Sequence, residues 1–123
     1  MRVFATRWFA RFARAEQTGD DALSEAIARA EKGAIDADLG GHLIKQRVAR
    51  LGGGRSGGYR TLIAWVAKRR GVFLYGFAKK EMDNIDSREL ADLKKLAGRF
   101  SIMTHEEIEV ALRANEIKEL RFP

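Results

Sequence analysis

Apolar residues in this chain keep two rhythms, a helical one toward both ends and an alternating one through the middle. Arg2–Ala5 reads as a short strand. Thr6 is placed to cap a helix running to about Ala15, with Trp8, Phe9 and Phe12 at helical spacing and expected in the core. Asp20 or Asp21 opens a second helix, in which Leu23, Ala26, Ile27 and Ala30 keep the helical period until Gly33 stops it. Gln17-Thr18-Gly19 joins the two helices as a hairpin.

The pattern then changes to strands. Leu43–Arg50 alternates, with Ile44, Gln46 and Val48 on one face and Lys45, Arg47 and Ala49 on the other. A second run rich in β-formers goes from Gly57 or Gly58 to Val66, and a third covers Val72–Lys79 after a turn at Ala67–Gly71. Such tight spacing predicts an antiparallel meander, because parallel strands need long crossovers. Between the first two strands, Leu51–Gly58 places five glycines around Arg55.

Asp86 or Ser87 caps a helix to about Gly98, with Leu90, Leu93, Leu96 and Ala97 apolar. Thr104-His105-Glu106-Glu107 fits a capping box that opens a further helix to about Ala114. Asn115 ends it, and Ile117–Phe122 offers a closing strand. No repeat or linker interrupts the chain, so residues 1–123 read as one domain. The order β-α-α-β-β-β-α-α predicts an α+β fold with its helices packed on one face of a sheet.

Composition adds little until charge is mapped along the chain. Hydrophobic residues make up 46% and charged residues 33%, an ordinary globular balance. The net charge of +6 is not spread evenly. From Leu39 to Lys80 there is no Asp or Glu, against ten Lys or Arg. Residues 1–38 carry six basic and seven acidic side chains, and residues 81–123 carry seven and ten. Like charge gathered in one segment repels itself, and binding a polyanion is the usual compensation. The alternative is a solvated sheet edge guarded by lysines, which suits Lys68, Arg69 and Arg70.

The residue inventory sets several chemistries aside. With no cysteine and only His42 and His105, the chain has no zinc site of standard spacing. The run GGGRSGG lacks phosphate-loop spacing, Ser56 is in no nucleophile-elbow context, and the basic segment has no acidic pair for magnesium. No cofactor is expected. Cysteine-free composition suits a reducing compartment, and no apolar run is long enough to span a bilayer. The Arg-rich start, MRVFATRWFARFARAE, lacks a signal peptide's separate zones, although a transit peptide or membrane-surface helix would also be Arg-rich. The cytoplasm is the expected location. What remains is a set of cations and the 2′-hydroxyl of RNA, which can attack its own phosphodiester when the protein moves protons and stabilises the charge.

Ile44-Lys45-Gln46-Arg47-Val48-Ala49-Arg50, the loop Gly52–Ser56 and Gly57-Gly58-Tyr59-Arg60-Thr61-Leu62-Ile63 resemble the RelE/ParE toxin superfamily. Phe73-Leu74-Tyr75-Gly76-Phe77-Ala78-Lys79-Lys80-Glu81 looks like that family's last sheet strand, ending in a basic pair before a helix. The combined pattern over residues 36–79 is similar to a longer RelE-like branch, with a family core at residues 1–98 and a C-terminal extension at 99–123. The resemblance implies two N-terminal helices packed on a twisted, mainly antiparallel sheet, with an extra C-terminal helix. It also implies a type II toxin held by a cognate antitoxin. RelE-type members cleave messenger RNA, commonly on the ribosome, so the implied activity is a metal-independent mRNA endonuclease that inhibits translation. The alternatives are a gyrase-binding toxin of the ParE type and a non-catalytic RNA-binding module.

Carried over by position, Arg60 matches the family's catalytic arginine. Lys45 and Arg47 fall on the strand that holds catalytic lysines in some members, and Lys80 stands where a second arginine is placed. Arg50, Arg55, Lys79 and Tyr59 complete the set as RNA or phosphate contacts. One departure is Asp86, which stands where RelE has a tyrosine; Tyr59 or Tyr75 are the substitutes within this chain. Alternation puts Tyr59, Thr61, Ile63 and Trp65 on one face and Arg60, Leu62, Ala64 and Val66 on the other, so Arg60 faces a cleft if the first face packs on helices. The competing role for Arg60 is a salt bridge to Glu81 or Asp83, and for Arg55 a free surface charge.

Overall fold

The computed structural model describes residues 1–50, 58–78 and 85–122. Strand β1 (Arg2–Thr6) leads directly into helix α1 (Arg7–Ala15). The Thr6 side chain accepts a hydrogen bond from the Phe9 amide at 3.2 Å, so the expected cap is present. Helix α2 (Asp20–Glu31) starts with Asp20 and Asp21 in its first turn, where carboxylates favour the exposed amide dipoles. Strands β2 (Ala37–Gly40), β3 (Leu43–Val48), β4 (Tyr59–Val66) and β5 (Arg70–Ala78) follow. Helix α3 (Ser87–Ile102), helix α4 (His105–Arg113) and strand β6 (Ile117–Leu120) complete the described chain.

The sheet has the order β2-β3-β4-β5-β1-β6. The expected meander is present as the antiparallel pairs β3–β4 and β4–β5. β1 instead lies parallel to β5, with Arg2 opposite Arg70 and Ala5 opposite Phe73. β6 closes the far edge of β1 antiparallel to it. Four residues long, β2 has no counterpart in the sequence reading. It forms because a hairpin turn lays it on the open edge of β3. Gly41 and His42 both have positive φ, 62° and 67°, the two-residue turn whose twist matches paired strands.

Helices cover both faces of the sheet, which corrects the expectation of one covered face. On one side Phe9, Leu23 and Ile27 of α1 and α2 pack with Ile44, Val48, Ile63 and Phe73. On the other, Ala97, Phe100 and Ile108 of α3 and α4 pack with Leu43, Leu62, Val72 and Phe77. The sequence carried the reason: β4 and β5 are almost continuously apolar rather than alternating, as strands buried on both faces must be. Gln46, fully buried on the α2 side, donates to the carbonyls of Ala26 and Ala34 and accepts from the Asp36 amide at 2.7 Å. Its hydrogen-bonding groups are satisfied, so its burial carries no unpaired cost.

The C-terminal segment is woven into this architecture, and the boundary near residue 98 falls inside α3. Arg70 donates to the carbonyls of Phe100 and Met103, 2.8 Å each, and so caps the end of α3 from β5. Arg2 forks onto Glu119 of β6 with two 3.0 Å hydrogen bonds and reaches Glu109 of α4 at 3.1 Å. One aromatic expectation needs correction. Phe9 is fully buried, but Trp8 is 44% exposed and stacks on Tyr75 at 4.3 Å between ring centres. α1 has only one face against the sheet, and Trp8 falls at its margin.

Candidate nucleic-acid interface

Arg60 and Arg47 are register partners across β4 and β3, so their side chains leave the sheet on one face. On the other side of Arg60, the register partner is Phe77 of β5. This is the face that α3 covers, opposite to α1 and α2, as strand alternation predicts once Tyr59, Ile63 and Trp65 pack on the first helices. Arg60 is only 7% exposed. Among the described residues no acceptor reaches its buried Nη1. Burial, then the nearby Arg47 charge, lower the proton affinity of the Arg60 guanidinium, with Asp36 opposing them. A buried cation beside another cation favours any anion that can enter.

Arg47 has its backbone held and its side chain exposed. Its amide donates to Asp36 Oδ2 at 2.7 Å, and its carbonyl accepts from Arg29 of α2. Arg29 also bonds Asp36 at 3.2 Å and Glu25 at 2.6 Å. Burial pushes the Asp36 carboxyl up, but the Arg47 amide and the Arg29 guanidinium outweigh it and hold the group below its ordinary value. Asp36 is thus engaged with α2 and the β3 backbone. Lys45, two residues before Arg47, shares its face and is half-buried opposite Leu62.

Arg50 and Tyr59 form a separate group. Tyr59 is 4% exposed on the α1 side, its ring edge-on to Phe12 and its hydroxyl donating to Glu16 at 2.8 Å. The Arg50 guanidinium lies over that ring at 5.1 Å and donates to the same hydroxyl at 3.3 and 3.4 Å. Tyr59 therefore stands on the opposite face of β4 from Arg60. Arg55, Lys79 and Lys80 lie outside the described residues, as do the alternative partners Glu81 and Asp83. Asp86 caps α3 by accepting from the Glu89 amide at 2.8 Å. Tyr75 stacks beneath Trp8 at a cleft of about 400 Å³ that Phe12, Phe77 and Ile85 also line. Phe77, the register partner of Arg60, lines this cleft, and Arg60 itself does not. Lys94 of α3, absent from the sequence-derived set, also lies on the Arg60 side of the sheet, against the Gly40–Gly41 turn.

A two-sided α+β sheet that gathers cations on one face, with no carboxylate bonded to them among the described residues, defines a small basic protein suited to a polyanion. The family model of the RelE toxin of RelE/RelB toxin–antitoxin systems matches residues 1–120, and the chain belongs to that family. Membership makes it a toxin of a toxin–antitoxin system and implies an antitoxin partner. A search of curated proteins finds no match to the chain. Among the described residues no helix is long and apolar enough to cross a membrane.

Proposed function

We propose that this toxin is a metal-independent endoribonuclease that cuts messenger RNA on the ribosome in the cytoplasm and so stops translation. The observation that carries the reading is Arg60, a nearly buried guanidinium with Nη1 unmet among the described residues and Arg47 directly opposite. Such a pair is costly in the free protein and becomes favourable when a phosphodiester sits between the two cations.

The reaction uses the RNA's own nucleophile. The 2′-oxygen attacks the adjacent phosphorus, the bond from phosphorus to the 5′-oxygen breaks, and a 2′,3′-cyclic phosphate forms. One proton leaves the 2′-hydroxyl and one is delivered to the departing 5′-oxygen. Arg60 and Arg47 stabilise the negative charge that builds on the phosphoryl oxygens, an effect strongest where water is excluded. Lys45 and Lys80 are the proposed lysine members of the catalytic set, and Arg50, Arg55 and Lys79 the proposed contacts with the rest of the RNA, while Tyr59, buried against Phe12 and bonded to Glu16, serves the fold. The aromatic walls of the cleft beside Phe77 suit stacking with an unpaired base.

The test is a reconstituted translation reaction with the purified toxin, read by primer extension on the mRNA. Wild type should leave discrete cuts ending in 2′,3′-cyclic phosphate and 5′-hydroxyl, and Arg60→Ala should leave the message whole while keeping its circular dichroism spectrum. Intact mRNA with wild type, together with trapped gyrase–DNA complexes, would transfer the protein to the ParE type of action. Salt-dependent RNA binding without any cut would leave a binding module.

A further inference from the structure

The β2–β3 hairpin turns at Gly41 and His42, and the side chain of Lys94 lies along that turn. A Cβ placed at Gly41 would stand 3.7 to 4.0 Å from the Lys94 stem carbons, and one at Gly40 would stand 4.0 Å from its ammonium nitrogen. The ammonium group is therefore carried across α3's flank to the edge of the sheet. From the same turn, β3 runs through Leu43, Lys45 and Arg47, which share one face. Leu43 packs in the α3-side cluster with Ala97 and Phe100, so this face is the one that Lys94 borders and that Arg60 shares.

The cations thus follow one line: Arg60 beside Arg47, then Lys45, then Lys94 at the turn. Residues two apart on a strand are separated by roughly 6.5–7 Å, similar to the spacing of successive phosphates in an extended RNA strand. Neither lysine is bonded to a carboxylate among the described residues. α3 also turns its two acids away: at about 100° per residue, Glu89 and Asp92 lie roughly 140° and 160° around the helix from Lys94. We infer that Lys94 is a phosphate-binding residue, the far end of a track along which the RNA backbone runs down β3 from the scissile bond at Arg60. The inference rests on the RNA-cleaving reading and extends it to how the strand is gripped and in which direction it lies. Electrostatic contacts of this kind supply affinity without reading base identity.

The test uses the full chain and uncuttable single-stranded RNA, 2′-O-methylated throughout, with the dissociation constant measured across a range of salt. Lys94→Ala should bind roughly two- to five-fold more weakly at physiological salt. Its log–log salt slope should be shallower by about 0.7, the share of one phosphate contact on a single strand. Lys94→Arg should restore both. RNA trimmed one nucleotide at a time from the end that runs along β3 should lose the difference between wild type and Lys94→Ala, and trimming the other end should not. Lys118→Ala, which removes a cation from β6 at the opposite edge, should leave the slope unchanged. Wild-type slope and affinity in Lys94→Ala would overturn the track while leaving cleavage at Arg60 intact. A deficit that persists at every RNA length would also overturn it, placing Lys94 in the fold. Failure of the wild-type chain to bind free RNA would overturn the track, while intact mRNA in the translation reaction would instead overturn the RNA-cleaving reading beneath it.

Discussion

Arg60 on β4 faces Arg47 on β3 as its direct cross-strand partner, a like-charged pair in a position where sheets ordinarily place opposite charges. Arg60 is nearly buried and has no acceptor for Nη1 among the described residues, so removing the charge should strengthen the fold. Arg60→Met keeps length and apolar volume, and we expect it to raise stability by about 1–3 kcal/mol in urea unfolding while abolishing mRNA cleavage. Arg47→Ala should give a smaller gain, up to about 1 kcal/mol, that shrinks as salt is added because Arg47 is exposed. A less stable Arg60→Met protein would show that the guanidinium has a structural partner, and the active-site reading of Arg60 would fall with it.

The C-terminal strand is tied on by charge, and that tie has a pH signature. Hydrogen bonds from Arg2 hold the Glu119 carboxyl below its ordinary value, against the opposing effect of burial. A depressed native pKa stabilises the fold at pH above the unfolded value, about 4.3, and the contribution fades as pH falls through the native value. Wild type should therefore be more stable than Glu119→Gln at pH 7, and the gap should close as pH falls from 7 to below the unfolded value. Urea midpoints for both proteins across that range would measure it, and a gap independent of pH would refute the linkage.

Tyr59 joins α1 to the sheet through a buried hydroxyl that donates to Glu16 and accepts from Arg50. Tyr59→Phe should cost about 0.5–1.5 kcal/mol, because the ring packing on Phe12 survives and only the hydroxyl is lost. The variant separates this fold contribution from any contact that Tyr59 makes with RNA. Stability unchanged within error, with weakened RNA binding, would reverse the assignment and place the hydroxyl on the RNA.

Two glycines should respond in opposite directions to the same substitution. At Gly76 of β5 a Cβ would fall 2.5–2.9 Å from the Phe12 ring, so α1 would have to move away from the sheet. Gly76→Ala should lose about 1–3 kcal/mol. Gly98, inside α3, has nothing within 4 Å of an added Cβ. Gly98→Ala should gain about 0.4–1 kcal/mol by restricting the unfolded chain. Denaturant melts of the two variants check the pair, and equal shifts would contradict the packing of α1 on β5.

Much of the architecture was legible in local pattern. The Thr6 cap, the Thr104 capping box and the three-strand meander all follow from signals within a few residues of themselves. The four residues of β2 were not legible, because Ala37-Asp38-Leu39-Gly40 has little strand preference and pairs only because β3 offers an edge. The parallel contact between β1 and β5 was equally hidden. Nearly seventy residues separate Ala5 from Phe73, and no periodicity reports a partner that distant.

By itself, the sequence determined the type and approximate place of every helix and of every strand but β2, and that the acid-free stretch from Leu39 to Lys80 would be strongly basic. Only the tertiary structure decided which cations meet. Register placed Arg47 opposite Arg60, two-sided packing separated Tyr59 from them, and the seating of α3 brought Lys94 to the hairpin turn. The reason is physical: helical and strand periodicity arise from neighbouring residues, whereas register and facing are fixed by how distant apolar surfaces share one core.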